Sequence, residues 1–203
     1  MEQLNIFGEV AQTVVLPLDL LEYHPGIFNK AEANKYMSEF ISNIPWQQRI
    51  VTMYGKPIIT PRLTAWYGDT GTDYTFSGTK FDPLPWTKDL LQIRKTVEAI
   101  ADIGFNSVLL NYYRDGNDSV AWHSDDENEL GINPVIASVS FGQARSFDIR
   151  NKADHNKKYS VNLESGSLLL MKGDLQHNWE HRIAKSTRPL KGRVNLTFRV
   201  INK

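Results

Sequence analysis

The chain has 203 residues, 41% of them hydrophobic, enough for one sizeable core and too few for two, so a single domain spanning 1–203 is expected. It contains no cysteine, which excludes disulfides and thiolate metal sites and leaves nitrogen and oxygen as the donors for any metal. Lys plus Arg and Asp plus Glu come to 23 each, so net charge speaks for no polyanionic partner and any nucleic-acid surface has to come from local charge.

The N-terminal MEQLNIFGEV has no basic stretch leading into an apolar run, and nowhere do about 18 apolar residues follow one another. A soluble, unexported protein is therefore expected: intracellular, cytoplasmic in a bacterium or nuclear in a eukaryote, and monomeric. The spacing predicts a first helix after Asn29, an N-cap with Glu32 three residues on, with Ala33, Tyr36, Met37, Phe40 and Ile41 on one face. Residues 46–86 are rich in aromatics, Gly and Pro and read as loops and hairpins, the kind of segment that surrounds a site. A second helix follows Thr87, with Asp89 in its first turn and Leu90, Ile93, Val97, Ile100 and Ala101 aligned.

From about residue 105 the period changes to two. FNSVLLNYY, PVIASVSFG, RSFDIR, KYSVNL, SLLLMKGD and RVNLTFRVI are each of strand length and are separated by turn residues. Together with the two helices this points to an α+β chain whose core is an antiparallel sandwich or barrel, a jelly roll being one such answer. The N-terminal part, to about 104, then supplies helices and hairpins, and about 105–203 supplies the core.

Within this core AWHSDDENE, residues 121–129, places His123 and Asp125 two apart, so that in extended chain both side chains share a face and suit one metal. A third ligand is needed. His181, in HNWEHRI, is available from a later strand, and two histidines with one carboxylate form the pattern of non-haem Fe(II) oxygenases. His177 and His181, four apart, offer a zinc pair as the alternative. In RVNLTFRV one face is apolar and the other carries Arg193, Asn195, Thr197 and Arg199. Such a face can receive a dicarboxylate through guanidinium forks, or it is the wet face of an edge strand.

NYYRDG, WHSDDE, IASVSFG, NWEHR and RVNLTFR, in this order, resemble the AlkB family of Fe(II)/2-oxoglutarate dioxygenases, and TAWYGDTGTDYTFSG resembles its subgroup that repairs alkylated DNA. The likeness covers roughly residues 50–200. It implies a double-stranded β-helix core, with His123, Asp125 and His181 holding Fe(II), His181 being the histidine after NWE. It implies that Arg193 grips the distal carboxylate of 2-oxoglutarate with help from Tyr113 and Asn195, that Arg199 lies near the C1 carboxylate, and that Asn111 completes the pocket. The implied reaction uses O2 and the cosubstrate to hydroxylate an N-methyl group of 1-methyladenine or 3-methylcytosine, releasing CO2, succinate and then formaldehyde.

Such lesions lie on the Watson–Crick edge, so the base has to leave the stack. The resemblance implies Tyr74, Phe76 and Ser77 of YTFSG, with Arg62, Asp126 and Glu127, as the residues meeting it, and Tyr54 of MYGK as a finger filling the gap in a duplex. HRIAKSTRPLKGR and RNKADHNKK add cations suited to phosphates. Alkylated DNA, duplex or single-stranded, is the expected partner; RNA or protein as the substrate, or an inert nucleic-acid-binding module, are the alternatives.

Overall fold

The computed structural model describes residues 16–53, 56–76 and 79–202. Both expected helices form. In α1, Lys30–Asn43, the Asn29 side chain accepts from the Ala31 and Glu32 amides, and Glu32 accepts from the Asn29 amide, a complete capping box worth about 1 kcal/mol. In α2, Lys88–Ala101, Thr87 caps Leu90 N–H at 3.2 Å and the chain leaves through Asp102 with φ of 52°. Ala33, Tyr36 and Phe40 of α1 and Leu90, Ile93 and Val97 of α2 are buried, whereas Ile41 stays exposed.

The period-two region gives eight strands: β6 Ser107–Tyr113, β7 Val120–His123, β8 Ile136–Gly142, β9 Arg145–Asn151, β10 Lys158–Leu163, β11 Ser167–Met171, β12 Trp179–Ile183 and β13 Arg193–Arg199. They divide between two antiparallel sheets. The smaller has the order β10-β9-β12-β7; the larger contains β11-β8-β13-β6 and is extended by β1 Leu21–His24 at one edge and by β3 Lys56–Gly68 and β2 Gln47–Met53 at the other. This is the jelly roll expected from the sequence. In a separate two-stranded sheet β4 Tyr74–Phe76 pairs antiparallel with β5 Thr79–Phe81. A one-turn helix, α3 Leu175–Asn178, precedes β12, so His177 lies on helix and not on strand.

Residues 47–53 and 56–68, expected as loops and hairpins, form two long antiparallel strands that belong to the large sheet. Pro57 and Pro61 suggested loop, but the first half of β3 pairs only with β2, and Pro61 falls where the β2–β3 register shifts, the edge and bulge positions at which proline is tolerated. Consequently β1, β2 and β3, all before residue 105, make up three of the seven strands of that sheet.

β13 is not an edge strand. It lies between β8 and β6, and all seven of its residues are buried. Val194, Leu196 and Phe198 join α1 and α2 in one hydrophobic cluster, and Phe198 lies 6.4 Å from Trp86 and 6.0 Å from Phe105 between ring centroids. A second cluster, including Ile136, Ile149, Leu163, Leu169 and Trp179, fills the space between the sheets. The polar face of β13 points into that inter-sheet space, so its arginines are interior and not solvated.

Candidate metal and cosubstrate site

β12 pairs with β7 so that His181 stands opposite His123. Directly opposed residues project from the same face, and the two imidazole centroids are 4.3 Å apart. Past the end of β7 the chain turns Asp125 inward, with Oδ1 3.6 Å from His123 Nε2. One ligand atom from each of the three residues lies within 4.8 Å of the others; among the described residues this is the set of three that can hold a metal ion. His177 is not part of it: it is exposed, and its Nε2 accepts from Asn133 N–H at 3.2 Å.

The electrostatics suit ligation. Burial opposes ionisation of Asp125, but the charge of Arg199, then His181 and His123, outweighs it and holds the carboxyl well below the usual carboxylate range. Arg199 Nη2 donates to Asp125 Oδ2 at 2.7 Å. Burial, with His123 adding to it, lowers His181 to about 3, so its imidazole is neutral near pH 7, the form that binds metals. His181 Nδ1 is buried without a hydrogen-bond partner, a costly state for a ring nitrogen unless something else engages the imidazole.

Beside the triad a narrow compartment of about 60 Å³ runs between the sheets. Arg193, 1% exposed, lines it; its Nη2 donates to Ser140 Oγ at 2.9 Å, while Nε and Nη1 lack partners in hydrogen-bonding geometry. Burial pulls Arg193 below the ordinary arginine value, and the nearby Tyr113, its ring centroid 5.1 Å away, supports the charged form. An arginine stays protonated, so a buried cation with unused donors calls for an anion. Asn195 is held by Ser138 Oγ and the Val139 carbonyl, Asn111 donates to Asn195 Oδ1 at 3.4 Å, and Asn111 Oδ1 accepts from Arg62 Nε at 2.8 Å. The five residues expected around the cosubstrate thus line or border one compartment, with Arg199 held on Asp125.

A larger cleft of about 540 Å³ opens on the other side. Arg62, His123, Asp125 and Arg199 border both spaces, so two of the three triad residues stand at their junction, with His181 on the narrow side. Cationic Arg49, Arg62, Arg182 and Lys185 line the cleft together with Trp66 and Trp122.

Of the residues expected to meet a base, Arg62 is therefore at the site. Asp126 and Glu127 are not on the walls of either cavity; Asp126 points into solvent and pairs with Lys152 at 3.6 Å, because the chain turns away once Asp125 has pointed inward. Tyr54 and Ser77, and the side chains of Tyr74 and Phe76, lie outside the described residues. Two participants were missed from the sequence. Arg145, 4% exposed, donates to the carbonyls of Asp115, Asp118 and Ala184 and ties the β6–β7 loop to the β12–β13 loop. Gln176 accepts from the Asp125 amide at 3.0 Å. Neither stands in a motif; each is a single polar residue whose burial only the fold reveals.

The model of the 2OG-Fe(II) oxygenase superfamily matches residues 21–199. Mouse "Alpha-ketoglutarate-dependent dioxygenase alkB homolog 3" is 40% identical over 187 residues, 88% of this chain and 65% of that protein. Human "DNA oxidative demethylase ALKBH2" is 40% identical over 185 residues, 86% of this chain and 71% of its own length. The chain belongs to the AlkB family. The jelly roll of this AlkB-family chain also matches the solved structure of OsALKBH1, with a TM-score of 0.62 at 18% identity, over 88% of this chain and 97% of the other. It spans just under two thirds of the alkB homolog 3 proteins it matches, 65% of the mouse protein and 65% of the human one. Among the described residues no helix is long and apolar enough to cross a membrane.

Proposed function

We propose that this AlkB-family chain is an Fe(II)/2-oxoglutarate-dependent dioxygenase that removes N-alkyl groups from bases in DNA, acting as a monomer on single strands and on bases extruded from a duplex. The observation that carries the reading is the cluster of His123, Asp125 and His181, whose first two members border both a compartment built around the buried cation Arg193 and a wide cationic cleft. The names of two relatives point the same way, one as an alpha-ketoglutarate-dependent dioxygenase and one as a DNA oxidative demethylase.

The donor set fits Fe(II): two imidazoles, one of them buried and neutral, and one ionised carboxylate on one side of a site. When bound, Fe(II) with 2-oxoglutarate and O2 supplies the oxidising power that hydroxylates an N-methyl carbon, after which the carbinolamine loses formaldehyde. The protein's own part is binding and orientation. Arg193 neutralises the far carboxylate of the cosubstrate, with Tyr113 and Asn195 beside it, in a space whose lining carboxylate, Asp125, is already paired with Arg199. Arg199 keeps Asp125 ionised and aimed, and Asn111 and Arg62 close the compartment towards the cleft. The cleft is of the volume that takes a base-sized ligand, and its cations suit the flanking phosphates.

Mass spectrometry of oligonucleotides carrying 1-methyladenine, offered as single-stranded DNA, duplex DNA and RNA, tests the proposal. Loss of the mass of one CH2 from DNA, as N–CH3 becomes N–H, only with Fe(II) and 2-oxoglutarate present, is expected. Methyl loss from RNA alone, or from none, overturns it.

A further inference from the structure

We infer that Gln176 is a positioning residue for the metal site, whose side-chain amide fixes the backbone that presents Asp125. The inference rests on the metal role proposed for Asp125. β7 ends at His123, and its pairing with β12 joins only His123 to His181 and Val120 to Ile183. Asp125 therefore sits beyond the ladder, in buried chain, where no strand partner serves its N–H. A buried amide left unbonded costs about 1–3 kcal/mol, and one free to swing for water would take the carboxylate with it.

Gln176 reaches across from α3 and closes this gap. It is 1% exposed, and its Oε1 accepts from Asp125 N–H at 3.0 Å. The other end of the amide rests on Met171 Sδ at 3.7 Å, and the main-chain carbonyl of Gln176 accepts from Lys152 Nζ at 3.1 Å. Burying an amide is unfavourable unless its hydrogen bonds are made, and an apolar side chain of equal length would fill the same volume. The polar group is explained by the one strong bond it makes.

With Arg199 on Oδ2 and Gln176 on the main-chain N–H, Asp125 is held at both ends while Oδ1 faces His123. Ser124 adds a tether by donating to the Trp179 carbonyl at 2.9 Å. The segment from Leu175 to Ile183 thus carries His181 on its strand and the brace for Asp125 on its helix, so that one piece of chain sets the spacing of two ligands. Groups that orient metal ligands are typically worth about 10–100-fold in metal affinity.

The test is Co(II) titration of the metal-free full chain, with amide hydrogen exchange read at Asp125. Gln176→Met, which keeps the volume and removes the acceptor, is expected to weaken Co(II) binding about 10–100-fold and to bring Asp125 exchange up to that of exposed Asp126, with protection in the two sheets unchanged. Gln176→Glu, which restores an oxygen acceptor, is expected to recover affinity to within about threefold of the parent. Asp125→Ala reports separately on the metal role itself: undiminished Co(II) binding there overturns that role. Loss of Co(II) in Asp125→Ala with parental affinity and Asp125 exchange in Gln176→Met overturns the inference about Gln176 alone. Should Gln176→Met lose protection throughout the sheets, the parent protein decides: an Asp125 amide exchanging as fast as that of Asp126 overturns the inference, and a strongly protected one upholds it.

Discussion

At the residue scale the site holds three buried charges, Asp125 paired with Arg199, and Arg193, whose Nη2 donates to Ser140 Oγ. Asp125→Asn, which leaves an oxygen for Arg199, and His181→Ala are each expected to abolish metal-dependent turnover while the circular dichroism spectrum stays that of the parent; His177→Ala, altering an exposed side chain bonded to Asn133 N–H, is expected to retain most of it. A folded, metal-free His177→Ala protein would refute the ligand set. Arg193→Ala is expected to raise the 2-oxoglutarate requirement by the equivalent of about 2–5 kcal/mol, with DNA affinity little changed, because a buried carboxylate loses its charged partner. Titration of cosubstrate at saturating DNA separates this from a phosphate contact, which would weaken DNA binding equally. The His-x-Asp pair was visible in the sequence, but the choice of His181 came from the family resemblance, and Asp125 reaches its place where the chain turns inward past the end of β7. The roles of Gln176 and Arg145 were not visible, because a lone polar residue shows no burial until the fold closes over it.

At the element scale the loop between β6 and β7 is fastened by charge. Asp118, 3% exposed, accepts from the Arg114 amide and from both Nε and Nη2 of its guanidinium at 2.7–2.9 Å. Burial works against this carboxylate, yet Arg114 prevails and holds it below the usual aspartate value of 3.8. A folded-state value below the unfolded one contributes stability that is present above the unfolded value and lost as pH falls through the folded one. Asp118→Asn should therefore cost about 1 kcal/mol at pH 7, discounted for the partial exposure of Arg114, and the gap to the parent should close on acidification below about pH 4. Urea denaturation at both pH values measures it; a gap that persists in acid would exclude the ion pair as its source. The two helices were legible because caps and the 3.6-residue period coincide at Asn29 and Thr87. The strand character of β2 and β3 was not, since Pro57, Pro61 and Gly68 signal turns, and pairing of β2 with β3, and of β3 from Leu63 onward with β6, overrides that local preference. The alternating pattern of β13 was read correctly, but whether its polar face meets water or a pocket depends on which strands flank it, and that is a property of topology.

At the scale of the whole molecule, a chain of zero net charge gathers Arg49, Arg62, Arg182 and Lys185 around one cleft. Lys185 is exposed on its wall, and Lys185→Ala is expected to weaken DNA binding without sequence preference and to reduce the slope of log affinity against log salt by about one, leaving the 2-oxoglutarate requirement unchanged. A salt slope identical to the parent's would remove Lys185 from the phosphate path. The cleft, the compartment around Arg193 and the metal triad form one functional unit only if oxidation of the cosubstrate is coupled to loss of the alkyl group. The most direct measurement of that coupling is the ratio of formaldehyde to succinate released from single-stranded DNA bearing 1-methyladenine, in the parent and in Asp125→Asn. A ratio near one that requires Fe(II) and 2-oxoglutarate, with neither product from the variant, is the expected result. Succinate without formaldehyde, or product formation that survives in Asp125→Asn, would contradict it.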